Sequence, residues 1–415
     1  MSLLLKNISQ LHRISVEGES FRAGAAMADS HVLENAFVRI KNGRISALGT
    51  MDELGQTEAD EVIDCSGRLV FPGFNDSHTH IVFPRDRATE YVMRIKGLSY
   101  EEIARQGGGI LNTAKRLREM SEEELLTGAV QRCWEIFRMG TTSVEVKSGY
   151  GLTTEDEIKM LRVARKLKDY CPLTVKTTFL GAHAFPAEYR NNQDGYVDLI
   201  INEMIPQVAE EGLADFIDVF CDRGFFTPDQ TERILAAGAE YGLPPKIHAN
   251  ELGYTGGVQS GVKQKALSVD HLECVDQDEI AALLDSGTMP TLLPSTAFFL
   301  GIDYAPARKM LTAGLPLALA SDYNPGSSPS GSMPFVIALA CTQMKMLPEE
   351  ALTACTLNSA YAMGLEKECG SVEVGKRGDL IITVPMGSLD ELPYWFTRRQ
   401  IQTVIAAGKS YDIGD

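Results

Sequence analysis

Five of the chain's seven histidines, His78, His80, His183, His248 and His271, stand at or just after the end of a short apolar run, and Glu251 and Asp322 occupy matching positions. His78-Thr79-His80 is the sharpest local feature. Side chains alternate along a strand, so residues i and i+2 share a face and two imidazoles can reach one metal ion. Alone, such a pair is a weak signal, and a single strand-end histidine is more often a hydrogen-bonded loop residue than a ligand. Here the pair closes an apolar strand, and His248 and Asp322 close later ones. Three nitrogens and one carboxylate oxygen suit Zn2+, with Fe2+ as a competitor. Such an ion lowers the pKa of a bound water to about 7, which is hydrolytic chemistry at neutral pH. Glu251 follows His248 closely enough to take a proton from that water and return it.

These residues are far apart in the chain, so the elements must gather them. Eight apolar runs end in polar residues: 69–75, 143–146, 173–180, 216–221, 246–247, 266–269, 289–293 and 317–320. Helical patterns lie between several of them, most clearly over 122–139, 154–170, 196–211 and 227–241, with Ser121 and Thr227-Pro228 as starts. Strand and helix alternating in this way imply parallel strands with crossover helices. Eight units point to a closed α/β barrel, the (β/α)8 or TIM barrel, whose sites form where the strands end. An open doubly wound sheet is the alternative, but no glycine-rich dinucleotide fingerprint follows the first strand. Both termini read differently. The segments 37–40 and 45–48 flank Asn42-Gly43, a hairpin signal, and 62–64, 69–71, 379–384 and 401–406 read as further strands. Residues 1–70 and 370–415 are therefore expected to form one small β-sandwich domain beside a barrel over 71–369, since neither terminal piece could bury a core alone.

Lys and Arg number 39 and Asp and Glu 56, a formal charge of −17, which argues against a nucleic-acid or anionic-membrane partner. No segment reads as a bilayer span. The first ten residues lack the pattern of a secretory signal, so a cytoplasmic enzyme is expected. The eight cysteines are scattered without a C-x-x-C pair and read as reduced, mostly buried small hydrophobes. His12 and His31 are expected at the surface. The Met- and Ala-rich stretch 333–346 reads as core packing without a cofactor.

An H-x-H at the first strand, histidines at the fifth and sixth, and an aspartate at the eighth resemble the amidohydrolase superfamily, as does a flanking β domain built from both termini. Longer stretches resemble the imidazolonepropionases within it: Phe74 to Phe83 with Asp86-Arg87, Gly107 to Ile110, Lys147 to Leu152, Gly181-Ala182-His183, Lys246 to Glu251, Ser268 to Glu273, and Ser321 to Ser328. The resemblance implies ring opening of 4-imidazolone-5-propanoate to N-formimidoyl-L-glutamate. It assigns His78, His80, His248 and Asp322 to one Zn2+ or Fe2+/Fe3+ per chain. It assigns Arg87, Tyr150, His183 and Glu251 to the substrate, and Tyr150, Asn324, Gly326 and Ser327 to the product. Glu251, His271 and Asp322 would share proton transfer. A homodimer is expected on the same ground.

Three positions depart from that pattern. Pro84-Arg85 stands where paired glycines are expected, so Arg85 competes with Arg87 for the carboxylate; Ser327 replaces a threonine; Asn250 replaces an acid. Two-metal relatives carry a carbamylated lysine at the fourth strand. Here that strand ends Val219 to Arg223 without one and Lys147 lies on the second, which points to a single metal. The rival functions are nucleobase deamination or dihydropyrimidine-type amide hydrolysis on the same scaffold, and a non-enzymatic scaffold. The first is disfavoured by Arg87 and Tyr150, the second by the full set of ligand residues.

Overall fold

A computed structural model describes residues 2–16, 18–98, 102 and 108–413. Five strands open the chain: β1 (Ser2–His12), β2 (Val32–Lys41), β3 (Arg44–Thr50), β4 (Glu61–Asp64) and β5 (Leu69–Pro72). Eight follow at intervals filled by helices: β6 (Phe74–Thr79), β7 (Thr141–Lys147), β8 (Thr174–Ala182), β9 (Phe216–Cys221), β10 (Ile247–Ala249), β11 (Ser268–His271), β12 (Met289–Leu292) and β13 (Ala318–Leu319). β14 (Leu380–Thr383), β15 (Ile401–Ala406) and β16 (Lys409–Asp412) close it.

β6 to β13 pair in sequence order, every pair parallel, with helices covering the outside. The barrel closes between β13 and β6 with little ladder. Asp322 N donates to His78 O at 3.0 Å and His80 N to Tyr323 O at 2.9 Å. Below them, the buried Asp76 carboxylate accepts from Ser321 N at 3.0 Å and from Ser321 Oγ at 2.6 Å. The seam is thus pinned by side chains within a few residues of His78 and Asp322.

The remaining strands form one mixed sheet in the order β16-β15-β14-β5-β1-β2-β3, with β4 on β1. It folds over a core of Leu3, Leu5, Ile8, Val38, Ile40, Val70, Leu380, Ile382 and Ile405, drawn from both ends of the chain. Its two wings meet at the β2–β3 turn, where Gly378 N donates to Gly43 O at 2.8 Å. Asn42 and Gly43 have φ of 53° and 79°, as the hairpin signal requires.

Three expectations change. The run 69–75 is not one strand: β5 pairs with β1 and β14 in the terminal sheet, and β6 pairs with β7 in the barrel. Gly73 makes the switch, because any Cβ there would lie 2.3 Å from Thr142 Oγ1. The helix over 196–211 begins earlier, at Gln193 under an Asn192 cap, and widens into a π turn over Ile200–Met204. Pro206 follows at once, lacking an N–H and crowding the carbonyl four residues back, which a wider turn relieves. His12 is not at the surface. It ends β1 paired with Val32, is 2% exposed, and sets Nδ1 2.8 Å from Ser30 Oγ. All eight cysteines are free, six of them buried. Among the described residues no helix is long and apolar enough to cross a membrane.

Candidate active site

The polar residues gather where the barrel strands end. Nε2 of His78 and Nε2 of His80 each lie 3.6 Å from Asp322 Oδ1. His78, His80 and Asp322 form one group whose donor atoms lie within 4.8 Å of one another, and His78, His248 and His271 form a second. His78 belongs to both, and its ring centroid is 4.4 Å from that of His248. The strand alternation that predicted an H-x-H face is what turns both imidazoles toward Asp322.

Two of the rings are held from behind by carboxylates. His78 Nδ1 lies 2.6 Å from Asp270 Oδ2, and His248 Nδ1 3.0 Å from Asp218 Oδ2. Carboxylates accept, so both Nδ1 atoms carry the proton and both Nε2 atoms present lone pairs. Those two Nε2 atoms are buried without a hydrogen-bond partner. Burial, with nearby positive charge adding to it, holds His78, His80 and His248 well below the ordinary imidazole range. Neutral rings, with Nε2 of His78 and His248 bare and Nε2 of His78 and His80 facing a carboxylate oxygen, are the kind of donor set a divalent cation requires, so the residues fit such an ion. Thr296 Oγ1 donates to Asp322 Oδ2 at 2.6 Å, which leaves Oδ1 as the oxygen facing the histidines.

Beside this cluster His271 lies between two carboxylates, Nε2 3.7 Å from Glu251 Oε2 and Nδ1 3.6 Å from Glu273 Oε2. Burial opposes charge on His271, but Glu251 and Glu273 outweigh it and carry the imidazole up to about 10. Burial pushes Glu251 up to about 7 and Asp322 up to about 6, with His271 opposing both. The arrangement holds an acid and a base side by side at neutral pH.

Over the cluster lie the groups that could hold a ligand. The His183 ring stacks on that of His80 at 5.1 Å, and Tyr150 stands 5.8 Å from the same ring. The Arg87 guanidinium is 6.0 Å from the Tyr150 ring, and its Nε donates to Thr113 Oγ1 at 2.9 Å. Asn324 Oδ1 accepts from Gly326 N at 2.7 Å and Ser327 N at 2.8 Å, which shapes the turn after β13. Arg85 is exposed, so of the two arginines Arg87 is the one that faces the site.

Comparison with known proteins now bears on this geometry. The model of the amidohydrolase family matches residues 69–411. A protein named imidazolonepropionase from Flavobacterium johnsoniae is 52% identical over 99% of this chain and 100% of its own length. Another of that name from Geobacillus kaustophilus is 47% identical over 92% and 91%. The chain belongs to the imidazolonepropionases of the amidohydrolase family. Among solved structures, a triazine hydrolase variant superposes with a TM-score of 0.76 at 16% identity, covering all of this chain and 95% of the other. A Xaa-Pro dipeptidase gives 0.71 at 15%, covering 99% and 100%. These two establish the fold alone.

In this imidazolonepropionase-family barrel the expected residues lie near one another: His78, His80 and Asp322 in one donor group, His248 with His78 in the other, Glu251 beside His271, and Arg87, Tyr150, His183, Asn324, Gly326 and Ser327 around them. His271 stands closer than expected, within one donor group with His78 and His248. Asp76, Asp218, Asp270, Glu273 and Thr296 escaped the sequence reading of the site. A signal existed for one of them, because Asp218 interrupts the otherwise apolar strand Phe216–Cys221. Gly107, part of the glycine run over 107–109, lies outside the described residues; Gly109 N donates to Glu90 Oε2 at 3.0 Å.

Proposed function

We propose that this chain opens the ring of 4-imidazolone-5-propanoate by hydrolysis, giving N-formimidoyl-L-glutamate in histidine degradation. The observation that carries this reading is the pair of donor groups sharing His78, with two bare Nε2 atoms and the Glu251–His271 pair alongside. The names of relatives at up to 52% identity supply the substrate.

His78, His80, His248 and Asp322 would hold one zinc or iron ion. Such an ion supplies an ionised water at neutral pH and polarises a carbonyl. Arg87 presents a planar fork to the propanoate carboxylate, and Tyr150 and His183 confine the ring. Glu251 takes a proton from the attacking water and delivers it to the departing ring nitrogen as the amide C–N bond breaks. His271, held between Glu251 and Glu273, donates to the oxygen on which negative charge develops.

The test follows loss of imidazolone ultraviolet absorbance, with metal content measured on the same sample. The enzyme should turn the substrate over. Glu251→Gln should keep its metal and lose about 10²- to 10⁴-fold in rate, whereas His248→Ala should lose metal and rate together. Near-normal rates in Glu251→Gln would remove it as the base. No turnover, beside clear deamination of a nucleobase, would replace this reading with its rival.

A further inference from the structure

Beneath the histidines, on their Nδ1 side, the barrel encloses five charged side chains with no solvent exposure: Glu145, Lys147, Asp218, Lys246 and Asp270. Buried ion clusters rarely stabilise a fold more than apolar packing would, so this one calls for another purpose. Two of its carboxylates are those that hold the Nδ1 protons of His78 and His248. They come from different strands, β11 and β9, and repel each other. Lys147, reaching across from β7, sets Nζ 2.7 Å from Asp218 Oδ2, 3.5 Å from Asp270 Oδ2 and 2.6 Å from Glu145 Oε1. Among the described residues it is the only Lys or Arg recorded within ion-pair distance of both. Lys246, the other buried lysine, ion-pairs with Glu145 and otherwise donates to backbone carbonyls of Ser77 and Ala362. Burial disfavours the charge on Lys147, but Asp218, Glu145 and Asp270 outweigh it and keep the ammonium protonated.

The oxygen atoms involved make the connection tight. Asp270 Oδ2 is shared by Lys147 Nζ and His78 Nδ1, while Asp218 takes Lys147 Nζ on Oδ2 and the hydrogen bond of His248 Nδ1 on Oδ1 at 3.1 Å, with Oδ2 3.0 Å from the same nitrogen. Each chain of contacts runs from one ammonium through one carboxylate to one imidazole. We infer that Lys147 is a positioning residue for the metal centre: a single ammonium ties together the two carboxylates that orient His78 and His248, so the two ligands are set as a pair. This rests on the proposed reading of those histidines as metal ligands and deepens it. Removing the ammonium leaves Asp218 and Asp270 as neighbouring like charges with no cation in direct contact with both, Lys246 favouring their charged forms only from beyond ion-pair distance. They separate, and each takes its imidazole with it.

The test is Zn2+ affinity of the full chain, measured by stripping the metal and titrating it back against a competing chelator, with folding checked by circular dichroism. Lys147→Met should weaken Zn2+ binding by about 10- to 100-fold, the range for losing a group that orients a ligand. Asp218→Asn should lose a similar factor. The double variant Lys147→Met/Asp218→Asn should be little worse than the weaker single, since both act along one chain of contacts. A purely structural lysine would lower the melting temperature and leave Zn2+ affinity within twofold, and that result overturns the inference. Multiplying losses in the double variant overturn it too. Should Lys147→Met not fold, Asp218→Asn and Asp270→Asn are combined with Lys147 intact. Less-than-multiplicative losses support the shared ammonium, and fully multiplicative ones refute it. A wild-type chain that takes up no Zn2+ defeats the metal reading and this inference with it. Tight wild-type binding with an unaffected Lys147→Met defeats the inference alone.

Discussion

Gly149→Ala probes how the loop after β7 sets the substrate-facing surface. Gly149 has φ of +106°, and an ideal Cβ there lies 2.7 Å from His183 Nδ1, 2.9 Å from His183 Cβ and 3.0 Å from Leu180 O. Ordinary contact begins near 3.4 Å, so the shortfall against the ring is 3.4 − 2.7 = 0.7 Å. The loop has little freedom to retreat. The buried Glu157 carboxylate holds it through Gly149 N at 2.9 Å, Gly151 N at 2.7 Å and Leu152 N at 2.9 Å. The Leu180 carbonyl belongs to β8 and is equally fixed, so the His183 imidazole must yield. A displacement approaching 1 Å costs on the order of 10²-fold when it misplaces a reacting group. We therefore expect kcat/KM to fall about 10- to 100-fold, or about 1.4 to 2.7 kcal/mol of transition-state stabilisation. The left-handed backbone adds about 1–2 kcal/mol of lost stability, visible as a lower Tm. Metal content should hold, because His183 is in neither donor group. Initial rates from imidazolone absorbance, thermal unfolding and metal analysis of the same preparation measure all three. A folded, metal-loaded Gly149→Ala enzyme with kcat/KM within twofold of wild type would refute the packing argument and the role of His183 together.

Gly326→Ala places a Cβ 2.6 Å from Arg87 Nη1, while Arg94 Nη2 holds the Gly326 carbonyl at 2.7 Å from the other side. Arg87 should be displaced and KM should rise about 10-fold with kcat little changed, as for lost uniform binding; an imidazolone lacking the carboxylate should show no difference between the two enzymes. Ser321→Ala removes the hydroxyl that donates to Asp76 at 2.6 Å, in a site where burial already pushes that carboxyl up to about 7. Thermal unfolding should reveal a loss of about 1–3 kcal/mol, and an unchanged Tm would show that the seam does not depend on this pair. Burial lowers His12 from 6.5 to about 4, so the unfolded chain binds its proton first as pH falls. Its contribution is complete above pH 6.5 and is lost between 6.5 and 4, by up to about 3 kcal/mol at 1.36 kcal/mol per unit. Denaturant midpoints across that window should fall less steeply in His12→Gln, and equal slopes would clear His12 of the effect.

Much of the scaffold was legible because burial writes itself into the chain. β9 and β15 match their apolar runs residue for residue, and the other barrel strands shift by a few residues. The run 69–75 misled because both sheets demand apolar residues there, and only the approach of Gly73 to Thr142 separates them. His12 misled because a polar ring ending a strand looks exposed until its neighbours are in place. In the site, the residue types and strand positions of His78, His80, His248 and Asp322 were enough to assemble a cluster. Asp218, Asp270 and Glu273 were not found, because a carboxylate that orients an imidazole is defined by spatial contact and carries no spacing rule. Nor could sequence reveal the backbone strain at Asn250, His271, Leu272 and Asp322, all with positive φ between 51° and 87°. Such strain persists only where surrounding contacts hold it, and it collects at functional centres.

The clasp between Asp76 and Ser321 joins residues 245 positions apart. A ribosome that has released β6 to β12 has therefore made most of the barrel but none of its closure, and His78 Nε2 still lacks the aspartate it faces in the closed ring. On the proposed ligand set the fourth donor, Asp322, arrives only after β13. Filling of all four positions then becomes a chemical report that the ring of strands is complete, and a chain truncated upstream of that point would keep only the His78, His248 and His271 group.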